Sequence, residues 1–295
     1  MAIIYFIIAK EPEKLQAWLH ETFLNRDTKE NQCTLEQSHI THINKSYFKL
    51  SIPDKSFTNE IYKKLRITSF AQQFDFFIKP QIIPAKGIIA FDMDSTFIEE
   101  EGVDEIARVL GISAQIAELT KQAMEGKLDF NSSFTRRIGM LKGTHINVIN
   151  AVCDQMTASP GITTILPILK QKGFKTAIIS GGLDIFTRRL QEKYQLDYVF
   201  SNTVEIRDGK LTDNIAAPIM NADNKQKTLV RLAETLQIPQ HNIIACGDGA
   251  NDIPMLTYAG TGIAWKAKPA VRELITNQIN FHGFESLLFM IENGL

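Results

Sequence analysis

The sequence predicts an α/β protein: a doubly wound parallel sheet, interrupted by a helical insertion and preceded by a small α+β unit. Three observations predict it. Short apolar runs at 88–91, 176–179 and 243–246 run into Asp, Ser or Gly and alternate with amphipathic helical patterns, as parallel strands and their crossovers do. Between the first two runs, residues 99–157 carry helical periodicity without a strand pattern. The first 80 residues read strand, helix, strand, strand, helix, strand, the order of a ferredoxin-like sandwich.

The opening run from Ala2 to Ala9 is apolar, has no positive segment ahead of it and leads straight into Lys10 and Glu11. It reads as a strand and not as a secretion signal. Residues 12–25 place Leu15, Trp18, Leu19 and Phe23 on one helical stripe. Residues 33–40 and 43–52 are strand-like; in the second, Phe48, Leu50 and Ile52 alternate with polar neighbours. A helix over 57–68 and a strand over 72–79 complete the unit, and the segment from Lys79 to Lys86, with Pro80 and Pro84, reads as a linker. The expected domains are therefore 1–80, a core formed by 86–98 with 158–295, and a helical cap at 99–157.

In the cap, Val103 to Ala123 reads as one long helix with Ile106, Leu110, Ile116 and Leu119 on its apolar side. Two more helices are expected over 131–142 and 145–156. An insertion directly behind an acidic loop is placed to act as a lid. Beyond it come a helix from Ile162 to Lys172 ending at Gly173, a strand from Thr176 to Ile179, and a helix from Asp184 to Lys193. Then follow a strand at Tyr198 to Phe200, a hairpin turning at Asp208-Gly209, a helix from Lys225 to Leu236 and a strand from Ile243 to Cys246.

Composition narrows the function classes. Of 295 residues 44% are hydrophobic and 22% charged, which suits a globular protein. A net charge of −1 offers no basic field for nucleic acid. No apolar run approaches the roughly 20 residues that span a bilayer. Cys33, Cys153 and Cys246 are odd in number and far apart, which argues against a disulfide framework and fits a reducing cytoplasm. The six histidines are scattered, and none has a zinc-site spacing.

The chemistry lies at strand ends. Asp92-Met93-Asp94-Ser95-Thr96 follows the first apolar run, where a parallel sheet delivers residues to a ligand crevice. In extended chain, residues two apart face one side, so one carboxylate could attack phosphorus while the other handles the proton. Alone, Asp-x-Asp is equally a solvated loop or a helix cap. Ser180-Gly181-Gly182 offers a hydroxyl and free N–H groups at a helix start, suited to phosphate or simply to a turn. Lys225 opens a helix, where its ammonium is either a surface charge or a neutraliser of phosphoryl oxygen. The loop from Gly247 to Asp252 presents Asp248, Asn251 and Asp252, oxygen donors of the kind that hold magnesium against a phosphate.

In order and context these segments resemble the four motifs of the haloacid dehalogenase-like phosphatases, with their Rossmann-like core, and more narrowly those of the phosphoserine phosphatases. Phe91 to Thr96 resembles the first motif, Ser180-Gly181-Gly182 the second, Lys225 the third and Gly247 to Asp252 the fourth. The resemblance covers about residues 86–290. The insertion is similar to that family's helical cap, and Glu101, the segment Met124 to Phe130, and Arg137 stand where such enzymes hold substrate.

The resemblance implies hydrolysis of O-phospho-L-serine in the cytoplasm, the last step of serine biosynthesis. It makes Asp92 the nucleophile and Asp94 the general acid and base. Mg2+ would be held by Asp92, the main-chain carbonyl of Asp94, and Asp248, with Asp252 behind them. Ser180, Gly181, Lys225 and Asn251 would hold the phosphoryl group, Arg137 the substrate carboxylate and Glu101 its ammonium, while Met124 and Phe130 shield the site. Residues 1–80 resemble ACT-type regulatory domains, but Lys10-Glu11-Pro12 stands where a ligand-binding glycine turn would be. Dimerisation, as a homodimer, or a purely structural role stands beside amino-acid binding there. Two other readings remain open: a phosphatase or phosphotransferase of the same superfamily acting on another small phosphate ester, such as phosphoryl transfer to homoserine, and a non-catalytic amino-acid-binding regulator.

Overall fold

A near-continuous apolar run needs both its faces covered, and the runs that the sequence marks as parallel strands are buried throughout. A computed structural model describes residues 2–7, 12–24, 33–40, 45–53, 57–79, 86–124 and 127–291. The expected linker residues 80–85 lie outside them.

The N-terminal unit contains β1 (Ala2–Ile7), α1 (Pro12–Leu19), β2 (Thr34–Ile40), β3 (Lys45–Ile52), α2 (Asn59–Gln72) and β4 (Phe76–Lys79). Its sheet is antiparallel in the order β2-β3-β1-β4, as a ferredoxin-like sandwich requires. α2 runs further than the sequence suggests. It ends only where Gln73 takes a left-handed conformation, so β4 starts at Phe76. One face of the sheet packs Phe6, Phe48 and Phe76 against Leu19 of α1 and Leu65 of α2.

The remaining elements are β5 (Ile88–Phe91), α3 (Gly102–Leu110), α4 (Ser113–Met124), α5 (Phe130–Met140), α6 (Ile146–Gln155), α7 (Ile162–Gln171), β6 (Lys175–Leu183) and α8 (Asp184–Tyr194). They continue with β7 (Tyr198–Asn202), β8 (Val204–Arg207), β9 (Lys210–Ile215), α9 (Ala222–Leu236), β10 (Ile243–Gly247) and α10 (Ile253–Tyr258). The last are β11 (Thr261–Trp265), α11 (Pro269–Leu274), β12 (Asn277–Ile279) and α12 (Leu288–Ile291). Six strands form a parallel sheet in the order β12-β11-β10-β5-β6-β7. The chain starts at the centre with β5, winds outward through β6 and β7, then returns to β10 and winds the other way. The reversal opens a crevice between β5 and β10 at their carboxyl ends. Both acidic loops leave from these two strands, and the Asp92 N–H donates across to the Cys246 carbonyl at 2.9 Å. Among the described residues, no helix is long and apolar enough to cross a membrane.

The single helix expected over Val103 to Ala123 is two. Gly111 at φ 72° closes α3, its N–H donating to the Ala107 and Arg108 carbonyls, and α4 restarts at Ser113. The apolar spacing carries on across the break, with Ile106 and Ile116 both buried, so periodicity alone does not reveal it. Leu110, expected on the apolar stripe, is left 38% exposed beside the break.

The second face of the N-terminal sheet is also covered. Tyr5, Ile7, Tyr47 and Phe77 join the core of the larger unit, and the Tyr47 ring meets Phe289 of α12 edge-on at 5.0 Å. Asp75, fully buried just before β4, accepts N–H bonds from Asn280 (2.8 Å), Phe281 (3.1 Å) and His282 (2.9 Å), and meets the His282 ring at 3.0 Å. Asp75→Ala would leave these donors unpaired, so a loss of about 3 kcal/mol is expected. An unfolding free energy, from urea titration, that falls by less than about 1 kcal/mol would show that water replaces the carboxylate.

Candidate active site

Asp92 leaves the end of β5 with 5% of its surface exposed. The chain does not continue extended, as the spacing suggests. It makes a wide turn over Met93–Phe97, with Asp94 at φ −66°, ψ 134° and Ser95 at φ 53°. The turn brings Asp94 back over the same cavity as Asp92, where its Oδ1 accepts the Gly102 N–H at 2.7 Å from the start of α3. The two carboxylates therefore share a site through a turn, not through strand alternation.

β6 carries Ser180-Gly181-Gly182 within its last turn of chain. The Ser180 Oγ, fully buried, accepts the Gly182 N–H at 2.8 Å. Asn202 pins this segment by donating to the Gly181 carbonyl at 2.8 Å while accepting from the Met220 N–H at 2.7 Å. Space for a side chain is tight at Gly182. A Cβ on Gly182 would lie 2.7 Å from the Met93 Cε and 3.0 Å from an Asp94 carboxylate oxygen.

α9 starts at an Asn221 cap and presents Lys225 inward. Its ammonium is wholly buried, 2.5 Å from Asp92 Oδ1 and 2.7 Å from Asp252 Oδ1. The other Asp252 oxygen accepts the Gly249 N–H at 3.0 Å. Asp252 is thus committed on both sides, and its part is to hold Lys225 and the Gly249 loop. Asp248, from the end of β10, faces Thr96 Oγ1 at 3.4 Å and the Lys268 ammonium at 3.3 Å.

These groups surround a cavity of about 120 Å³. The core lines it with Asp92, Asp94, Gly181, Asp248 and Asn251, the cap side with Glu101, Phe130 and Arg137. Of the remaining expected residues, Lys225, Asp252 and Ser180 lie buried beneath the cavity surface, and the Met124 side chain is outside the described residues. Gly182 of the expected phosphate segment also lines it, and four further lining residues escape the sequence reading: Val103, Asp104, Phe134 and Lys268. Asp104 follows Glu101 by three positions and Phe134 follows Phe130 by four, so helical spacing could have found both. The Phe130 and Phe134 rings stack at 6.0 Å.

Burial governs the electrostatics. It pushes Asp94 up to about 7, helped by the negative charge of Glu101 and opposed by the Gly102 N–H. Burial and then Asp252 hold Asp92 well above the usual carboxylate range, against Lys225. Glu101 and Asp248 are raised by burial too. For Lys225 burial alone would favour the neutral amine, but Asp252 and Asp92 outweigh it and raise the pKa. Burial lowers Arg137, against Asp104 and Glu101, and its Nε is buried with no hydrogen-bond partner among the described residues.

Around this cavity, six carboxyl groups (Asp92, Asp94, Glu101, Asp104, Asp248, Asp252) meet three cations (Lys225, Arg137, Lys268). The excess of negative charge suits a bound cation. Oxygens of Asp92, Asp248 and Asp252 lie within 4.8 Å of one another, and a donor set of carboxylates without Cys or His fits a hard metal ion.

Comparison with known proteins agrees with this geometry. The model of the haloacid dehalogenase-like hydrolases matches residues 87–260. A phosphoserine phosphatase of Vibrio cholerae is 37% identical over 71% of this chain, and the match spans 64% of that relative's length. A phosphoserine phosphatase of Methanocaldococcus jannaschii is 38% identical over 64% of this chain and 89% of its own. The crystal structure of a HAD-family hydrolase, t0658 from Salmonella enterica serovar Typhi, superposes over the full length of both chains with a TM-score of 0.95 and 65% identity. With its strand-end carboxylates gathered at the switch point of a doubly wound sheet, the chain belongs to the haloacid dehalogenase-like hydrolase family.

Proposed function

We propose that this protein is a Mg2+-dependent phosphatase that hydrolyses O-phospho-L-serine through an aspartyl-phosphate, as the last step of serine biosynthesis. One observation carries the substrate: the half-buried Arg137, its Nε buried and without a partner among the described residues, shares with Glu101 a cavity that also exposes Asp92. A guanidinium and a carboxylate are the complement of an amino acid's carboxylate and ammonium. The cavity is small, about 120 Å³. Drug-sized sites run from about 300 Å³ upward, so a compact ester suits it better than a nucleotide. The names of the Vibrio and Methanocaldococcus relatives support the same substrate.

In this reading Asp92 attacks phosphorus with the oxygen not held by Lys225. Lys225 orients the nucleophile and offsets the repulsion between two anions. The Asp94 carboxyl, pushed up to about 7, still holds a proton in about half of the molecules at neutral pH, to give to the departing serine oxygen. As a carboxylate it then takes one from the water that cleaves the intermediate. Gly181 and Gly182 let the phosphoryl group approach the main chain, and Phe130 keeps water out. Mg2+, held by Asp92, Asp248 and the main chain of Asp94, supplies positive charge to the phosphoryl oxygens when bound. Residues 99–157 serve as the lid. Residues 1–80 serve as a structural platform, since both faces of their sheet are covered within the chain.

The test is phosphate release from O-phospho-L-serine beside O-phosphoethanolamine, with and without Mg2+. Phosphoserine should be strongly preferred, and only with the metal. Arg137→Ala should lower kcat/KM for phosphoserine about 100-fold while sparing phosphoethanolamine, which has no carboxylate. Equal use of both esters by the parent protein would remove the amino-acid clamp. Transfer to an added alcohol in place of phosphate release would make the protein a phosphotransferase.

A further inference from the structure

A second cleft, of about 400 Å³, lies between α2 of the N-terminal unit and α11 with β12 of the core. Its walls are apolar at Tyr62, Phe70 and Pro269. It gathers three cationic side chains, Lys63, Arg66 and Arg272, against the single carboxylate of Glu273. None of the three cations makes an ion pair among the described residues.

Arg66 is the sharpest anomaly. Its Nε donates to the Tyr62 hydroxyl at 3.1 Å, and its Nη2 donates to the Thr276 carbonyl. The guanidinium lies 4.0 Å over the Phe76 ring, and its Nη1 is buried with no hydrogen-bond partner among the described residues. Burial pulls its pKa down, which marks a charge desolvated without adequate compensation. Arg272 lies 5.2 Å over the Phe70 ring, on the same cleft. Asp75, committed to three main-chain N–H groups, and the Tyr62 hydroxyl offset only part of the burial cost of this half-buried cation, and two more unpaired cations beside it add repulsion. An anion would relieve both.

We propose that this cleft binds a small ring-bearing organic anion, a carboxylate or phosphate, with its ring against Tyr62 and Phe70 and its charge met by Arg66 and Arg272. The apolar walls call for a body that inorganic phosphate lacks, and the volume admits a single-ring acid or a nucleoside monophosphate. The inference stands apart from the assignment of the active-site substrate.

Isothermal titration of the whole chain in EDTA, where turnover stops, tests it with two probes: benzoate and adenosine monophosphate. They separate the carboxylate source from the phosphate source. The comparison protein is the double variant Lys63→Glu, Arg272→Glu. Both positions are on helix surfaces away from the active site, so any binding there is common to both proteins and cancels. At least one probe should bind the parent with a Kd of about 1 mM or tighter, and the double variant about tenfold more weakly or not at all. Binding of neither probe, or equal binding to both proteins, overturns the proposal. A melting temperature of the ligand-free variant equal to or above the parent's is also expected, because like charges are removed. A clear fall would mean that the cations hold the two units together, and would overturn the proposal in favour of a structural role.

Discussion

Lys225→Met will cost the fold about 3–5 kcal/mol and abolish turnover. The ammonium is fully buried and is the shared partner of Asp92 and Asp252. Methionine fills the same volume but leaves two buried carboxylates facing each other. The loss comes from those stranded acids, not from the net worth of the ion pair. That makes the deficit depend on pH in a definite direction. Asp92 is already raised above its unfolded value, and losing Lys225, which opposes that rise, raises it further. A raised carboxyl contributes stability while it holds its proton, and that contribution disappears as pH climbs through the folded pKa. The gap between parent and variant should therefore be small near pH 5 and wide at pH 8. Thermal melts at the two values would show it. A gap that narrows on going to pH 8 would mean that the carboxylates find another cation. Combining the change with Asp252→Asn should recover much of the loss, as expected for groups in direct contact.

Asp92→Asn acts on the same ion pair with the opposite effect on stability. Activity should fall by about 10⁴-fold or more, since an amide cannot serve as the nucleophile. Without metal, the variant should melt no lower than the parent. Burial and Asp252 already penalise the ionised Asp92, and an amide removes that penalty while leaving Lys225 with Asp252. In the proposed mechanism the native residue would be kept at the expense of stability because the chemistry needs it. Residual phosphate release near the parent rate would rule out covalent catalysis by Asp92. A melting point several degrees lower would mean that the Lys225 contact outweighs the burial cost.

What the sequence disclosed and what it hid have physical causes. Asp92 and Asp248 are legible because a buried parallel strand must be apolar and must end where ligands bind, so an acid placed just after such a run stands out. Glu101, Phe130 and Arg137 carry no such mark. On their own they read as helix-surface and packing residues, and only resemblance to the family singles them out. Lys225 reads as a surface cation, because helical position does not tell how deep an ammonium sits when its partners come from β5 and from the loop after β10. Lys268 was missed with the strand before it. β11 carries Thr261, Gly262 and Ala264 among its five residues, so its apolar contrast is weak, yet it is fully integrated in the sheet. The break at Gly111 hides inside an unbroken periodicity. The cleft beside Arg66 depends on how two units dock, which no local pattern encodes.

The burial of Tyr47 and Phe77 against residues 284–291 has a consequence for synthesis on the ribosome. The N-terminal sheet emerges first, but one of its aromatic faces has no cover until α12 is made. Through most of translation that face would be open to chaperones and to self-association. Released chains that end before residue 284 should therefore be readily cleaved within residues 2–79, and chains that run through residue 291 should resist. Equal resistance at both lengths would show that the sheet and its own two helices suffice. The expected outcome makes the unit that is first in the chain among the last to be sealed.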